Sequence, residues 1–245
     1  MIRYCLIVLV LFFSCSEKQD TQTIYDVDPK MFQDLLKKNP SVLIDVRTKK
    51  EFNEGYIDGA TNVNLYDSDF LKKINLVNKN QPIYVYCRSG GRSSVAASKM
   101  KDIGFTEIYN LSGGIDSWID EENLIIHNNF ANKEVNTNHQ IFDLLLFDEL
   151  LLNNNYTLLY FNTEWCYPCI KMRPIINQFK QSNSYNIDVL LINLDVNSGF
   201  SKKYNLNGIP VCILFHKDVE IWRNIGILSF EELDEKMQMS LSSLG

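Results

Sequence analysis

Two cysteines, Cys166 and Cys169, lie two residues apart where a strand-like run (residues 157–161) gives way to a helical pattern, and this constrains the chain most. Such a pair can stay as free thiols, form half of a zinc site, or close into a small redox disulfide. A zinc site needs further ligands at matching spacing, and His127, His139 and His216 are scattered away from the pair; no metal is expected there. In a helix's first turn, unpaired backbone N–H groups favour an anionic sulfur and lower the pKa of the first cysteine. Pro168 between the cysteines suits a position near the helix start. Cys166 is then the attacking thiolate, and Cys169 resolves the mixed disulfide.

The chain has 245 residues, room for two domains of ordinary size. Its 24 Lys and Arg against 30 Asp and Glu give a net charge of -6, with no basic stripe to neutralise phosphates, so nucleic acid is not an expected partner. Residues 23–125 alternate short β-type runs (23–27, 42–46, 82–86) with helical stretches (31–38, 93–103). That alternation predicts an α/β domain with helices on both faces of a parallel sheet. Residues 126–140 are rich in Asn and lack apolar periodicity, which predicts a linker. Residues 141–245 predict a second α/β domain: an apolar helix over 141–152, strands over 157–161, 189–194 and 211–215, and a closing helix over 230–239.

A second cysteine motif stands in the first domain. Cys87-Arg88-Ser89-Gly90-Gly91-Arg92-Ser93 joins the strand 82–86 to the following helix. A strand, a two-glycine loop and a helix N-terminus form a nest of N–H donors that stabilises a thiolate, a persulfide or a bound anion. Arg88 and Arg92 add positive charge for an anionic substrate, and the loop residues 88–93 are the candidate substrate-binding set. Cys212, inside an apolar strand, reads as core filling.

The N-terminus predicts export. Arg3, an apolar run over residues 6–13 and Ser14-Cys15-Ser16 have the length of a signal-peptide core, too short to cross a bilayer. The pattern resembles the lipobox of bacterial lipoproteins, which implies a signal over residues 1–14, lipid on Cys15 and a membrane anchor facing outside the cytoplasm.

Over residues 141–245 the chain resembles the thioredoxin family. Trp165-Cys166-Tyr167-Pro168-Cys169, Ile209-Pro210 and Asn224-Ile225-Gly226 stand in the family's order. The resemblance implies a cis bond at Pro210, with Trp165, Pro168 and Pro210 supporting the catalytic Cys166 and Cys169. Two positions depart from it: Tyr160 replaces a buried acid and Leu191 the lysine near it, which implies slower thiol turnover or a dedicated partner. Tyr167 replaces the usual glycine.

Residues 23–125 resemble the rhodanese family. Asp45-Val46-Arg47 with Glu51-Phe52, Gly55-Tyr56-Ile57-Asp58-Gly59-Ala60 and Leu111-Ser112-Gly113-Gly114 with Trp118 carry the resemblance. Asp45, Arg47 and Glu51 are expected to form a buried structural ion pair, and Tyr56, in place of a His, to be structural. The spacing Cys87-x4-Arg92 is that of sulfurtransferases, one residue shorter than the cysteine-phosphatase loop.

Together these features predict an extracytoplasmic sulfurtransferase and thiol–disulfide oxidoreductase without a cofactor. Cys87 carries a persulfide, and the Cys166/Cys169 dithiol reduces persulfide or disulfide substrates. Expected partners are thiosulfate, polysulfide or persulfide, and protein thiols or disulfides. Two alternatives stand beside it: an envelope oxidoreductase whose first domain is a binding adaptor, and a non-catalytic binding lipoprotein.

Overall fold

The buried strand Ile83–Tyr86 (β4) shows why the first half folds as it does. Its four side chains are all buried, Ile83 and Val85 in one core and Tyr84 and Tyr86 in another. A strand covered on both faces needs apolar groups at every position, and this is a parallel-sheet signature. The computed structural model describes residues 23–38, 42–127, 140–182 and 184–242; the expectations for residues 1–14 and Cys15 lie outside them.

Around β4 the sheet contains β1 (Ile24–Val27), β2 (Val42–Asp45), β3 (Ala60–Asn62) and β5 (Ile108–Leu111), all parallel, in the order β1-β5-β4-β2-β3. The helices that matter below are α1 (Pro29–Lys38), α2 (Lys49–Glu54), α3 (Phe70–Ile74), α4 (Gly91–Asp102) and α5 (Gly114–Asp120). The first domain's last described residues are tied back to it: Ile126 bridges Tyr56, and His127 Nδ1 lies 2.9 Å from the Glu54 carbonyl.

The second domain has a mixed sheet of β6 (Tyr156–Asn162), β7 (Asp188–Asn193), β8 (Val211–His216) and β9 (Val219–Ile225), in the order β7-β6-β8-β9. β6 runs parallel to β7 and antiparallel to β8, and β8 is antiparallel to β9. Leu159 and Phe161 of β6 enter one core, Leu158 and Tyr160 the other. Helices α6 (Phe147–Asn153), α7 (Tyr167–Ser182), α8 (Gly199–Lys203) and α9 (Phe230–Ser242) complete the described part.

One expectation is corrected. The helix predicted over 141–152 begins only at Phe147. Asp143 Oδ1 takes the Leu145 N–H at 2.8 Å, and Asn197 Oδ1 takes the Phe142 N–H at 2.9 Å. Side-chain acceptors of this kind give the backbone an alternative to the helix. Phe142 then packs edge-on against Phe147.

Candidate active sites

Cys87 follows β4 directly and is 1% exposed. Gly90 takes a φ of 96°, a left-handed turn that brings its N–H back to Cys87 Sγ at 3.2 Å. The Ser93 hydroxyl lies 3.5 Å from the same sulfur. Burial alone pushes the thiol up. The Ser93 hydroxyl and the N–H groups of Ser93, Ser89 and Gly90 outweigh burial and hold the pKa below the ordinary thiol range. The loop is a thiolate cradle.

A second layer braces it. The α5 N-terminus donates Ile115 N–H to Cys87 O at 2.9 Å and Asp116 N–H to Arg88 O at 3.0 Å. This approach requires Gly114, with φ 62°, because a Cβ there would collide with the Arg88 and Cys87 carbonyls. The expected charge roles shift. Asp45 and Arg47 form the buried pair at 2.6 Å, but Glu51 leaves it and binds Arg92 instead, at 2.6 and 2.9 Å. Arg92 holds the Glu51 carboxyl at about 2. Arg88, with its side chain 70% exposed and Asp116 3.4 Å away, is the loop's accessible cation. Tyr56 stacks on Phe52, with ring centroids 4.1 Å apart.

Cys166 closes the β6-to-α7 connection and forms a disulfide with Cys169 in the first turn of α7. The Cys169 N–H points at Cys166 Sγ at 3.1 Å, the arrangement that would stabilise a thiolate there after reduction. Asp195 anchors the approach: its carboxylate accepts the Trp165 indole N–H at 2.9 Å and the Glu164 N–H at 3.0 Å. The Ile209–Pro210 bond is cis, and Ile209 shares a core with both cysteines.

Tyr160 and Leu191 are direct partners in the β6–β7 register. The Tyr160 hydroxyl donates to the Cys169 carbonyl at 2.8 Å, and burial raises its pKa far above neutral, so it stays protonated. Cys212 is buried within the second domain, and burial pushes its thiol up. It is packing, not an active group.

The two sites meet along the β3 edge. Tyr167, the residue after Cys166, donates its backbone N–H to Thr61 Oγ1 of β3 at 3.0 Å. Its hydroxyl lies 3.4 Å from Asp58 Oδ1. Thr61 is level with Ile44, and Ile44 with Val85, two residues before Cys87. Level residues in parallel strands share a face, and the cluster of Ile44, Val85 and Cys87 is the one against which Trp165 packs. In return, Leu76 of the first domain packs against the cluster holding Cys166 and Cys169. Between the domains lies a cavity of about 580 Å³, lined by Tyr167, Pro168 and Pro210 on one side and Asp58, Asn78 and Gln81 on the other. The sequence pointed to neither Thr61, Asp58, Asp195 nor Gly114 as site residues. Only Gly114 carried a local signal, its paired glycine at a helix start.

Comparison with known proteins agrees with this division. Residues 28–121 match the model of the rhodanese-like domain, and residues 138–239 match that of thioredoxin. A thiosulfate sulfurtransferase GlpE of Pseudomonas putida is 30% identical over 93 residues, which cover 38% of this chain and 82% of that protein. The chain belongs to the rhodanese-like family. Its membership rests on the first domain, and the thioredoxin domain follows on the same chain. The uncharacterized protein YqhL of Bacillus subtilis is 43% identical over 76 residues, 31% of this chain and 59% of that protein. The putative sulfur carrier protein YrkF of the same organism is 30% identical over 101 residues, 41% of this chain and 54% of that protein. This rhodanese-like chain thus spans between half and three fifths of the length of those two relatives.

Proposed function

We propose that Cys87 accepts a sulfane sulfur atom and that the Cys166/Cys169 dithiol reduces it. The Cys87 thiolate attacks the outer sulfur of thiosulfate, forming a persulfide and releasing sulfite. The Cys166 thiolate then takes the outer sulfur, returning Cys87 as a thiolate. Cys169 then attacks Cys166 Sγ, its thiol proton passing to the outer sulfur, which leaves as hydrosulfide. The dithiol loses two electrons and the sulfane sulfur gains them. The transfer needs sulfur–sulfur contact. Trp165, the residue before Cys166, packs against the cluster that holds Cys87, so the dithiol turn faces the side of the sheet that carries the Cys87 loop.

The observation that carries the proposal is the docking of the dithiol turn on the first domain, through the 3.0 Å bond from Tyr167 N–H to Thr61. An adaptor domain has no need to hold the redox turn on the sheet face that bears its own cysteine. The sulfur-transfer names of YrkF and GlpE add support for the first step.

The experiment loads the pre-reduced full-length chain, in mild detergent, with thiosulfate or polysulfide and weighs the Cys87 peptide. A persulfide that accumulates only in Cys166→Ser supports the relay. Absence of added sulfur on Cys87 in both proteins removes the sulfurtransferase assignment. Equal loading in both makes the domains independent.

We propose further that residues 1–14 direct export and that Cys15 carries lipid, on the strength of the apolar run 6–13 and Ser14-Cys15-Ser16. Labelling with palmitate that persists in Cys15→Ala would count against it.

A further inference from the structure

We infer that Tyr167 is the bolt of a latch that confines the dithiol to small sulfur compounds and to the chain's own Cys87, shutting out disulfides of folded proteins. The inference deepens the function proposed above and rests on it for the role of Cys87. Its starting point is burial. Cys166 is 3% exposed although it is the group that must attack. A protein disulfide reaches such a sulfur only if its backbone can lie across the turn, and here β3 and the segment before it occupy that side.

Two bonds hold the turn there, and both go to Tyr167. Its N–H donates to Thr61 Oγ1 at 3.0 Å, and its hydroxyl lies 3.4 Å from Asp58 Oδ1. Lys171, one helical turn on, sits over the Tyr167 ring at 5.2 Å and fixes its direction. Gly59, between the two partners, lies in the Tyr167 ring's path of contact, where an added Cβ would meet the ring at an ordinary 4.0 Å. The cavity beside Pro168 and Pro210 opens next to the docked turn. At about 580 Å³ it is sized for a small molecule and not for a folded domain.

The latch predicts two states. In the closed state small disulfides react; in the open state protein disulfides react as well. Rates on a protein substrate then scale with the open fraction. Thr61→Val keeps the shape of Thr61 and removes its acceptor, and Asp58→Ala removes the second partner.

The test uses pre-reduced full-length chains carrying Cys87→Ser, with and without Asp58→Ala and Thr61→Val. Each is mixed with bis(2-hydroxyethyl) disulfide or with insulin, and closure of the Cys166–Cys169 disulfide is followed. The dithiol transfers two electrons to either substrate and releases two thiols. The expected result is a rise of about tenfold on insulin when both bonds are lost, with the small disulfide unchanged. No change on insulin, or an equal rise on both substrates, overturns the latch. So does a Tyr167 amide that exchanges with solvent as fast in the parent as in the double variant. Cys87 is absent throughout, so failure of sulfur loading at Cys87 and failure of the latch are read separately.

Discussion

The Arg92 guanidinium donates to both oxygens of Glu51, at 2.6 and 2.9 Å, and so ties the first turn of α4 to α2. The same carboxylate closes a capping box with Thr48, accepting the Thr48 N–H at 3.0 Å. One acid therefore holds a helix start and the arginine of the cysteine loop.

That coupling has a pH signature. Arg92 lowers the Glu51 carboxyl from 4.5 to about 2. A group whose pKa falls on folding contributes stability that is complete above its unfolded value and is lost as pH drops through the folded one. The Glu51 contribution is intact above pH 4.5 and is lost between there and about 2. Glu51→Gln should flatten that part of the acid limb, measured as the urea midpoint against pH. An acid limb as steep as the parent's would show that Glu51 does not act through Arg92.

The Cys87 cradle predicts where its thiol titrates. With Cys166 and Cys169 oxidised and Cys212 pushed up by burial, the first thiolate absorbance to appear among the described cysteines on raising the pH belongs to Cys87. Ser93→Ala removes the hydroxyl at 3.5 Å and should move that titration upward. A downward move, or none, would leave the loop N–H groups as the whole cause.

Gly114 carries the contact between α5 and the cysteine loop. Gly114→Ala combines a left-handed φ of 62° with a Cβ driven into two backbone carbonyls. The expected cost is about 2–4 kcal/mol in urea unfolding. Sulfur uptake by Cys87 should fall with it, because the α5 N–H groups that fix the Cys87 and Arg88 carbonyls would be displaced.

Much of this site was legible because its parts are local. Each candidate active-site cysteine sits between a strand pattern and a helix start, and burial of both strand faces follows from their unbroken apolar runs. The charge partners were harder. Glu51 and Arg92 are 41 residues apart, and nothing in their spacing sets Glu51 against Arg92 over Arg47. Thr48-x-x-Glu51 did carry a capping signal. Thr61 is 106 residues from Tyr167, and a hydroxyl on an edge strand has no sequence mark of an interdomain acceptor. At 141–146 the helical period was real but lost to Asp143 and Asn197, whose acceptors lie outside any periodicity argument.

Tyr160 offers the sharpest test of how the dithiol works. Its hydroxyl donates its proton to the Cys169 carbonyl at 2.8 Å, and burial keeps the phenol protonated at neutral pH. A group in that state takes no proton from Cys169, so the second thiol must give its proton to solvent or to substrate. Tyr160→Phe should then lower stability by about 1 kcal/mol, the net worth of one hydrogen bond, and leave the pH profile of dithiol exchange unmoved. A profile displaced toward higher pH in Tyr160→Phe would mean that the hydroxyl stabilises the Cys169 thiolate, and that Tyr160 does take part in the proton step.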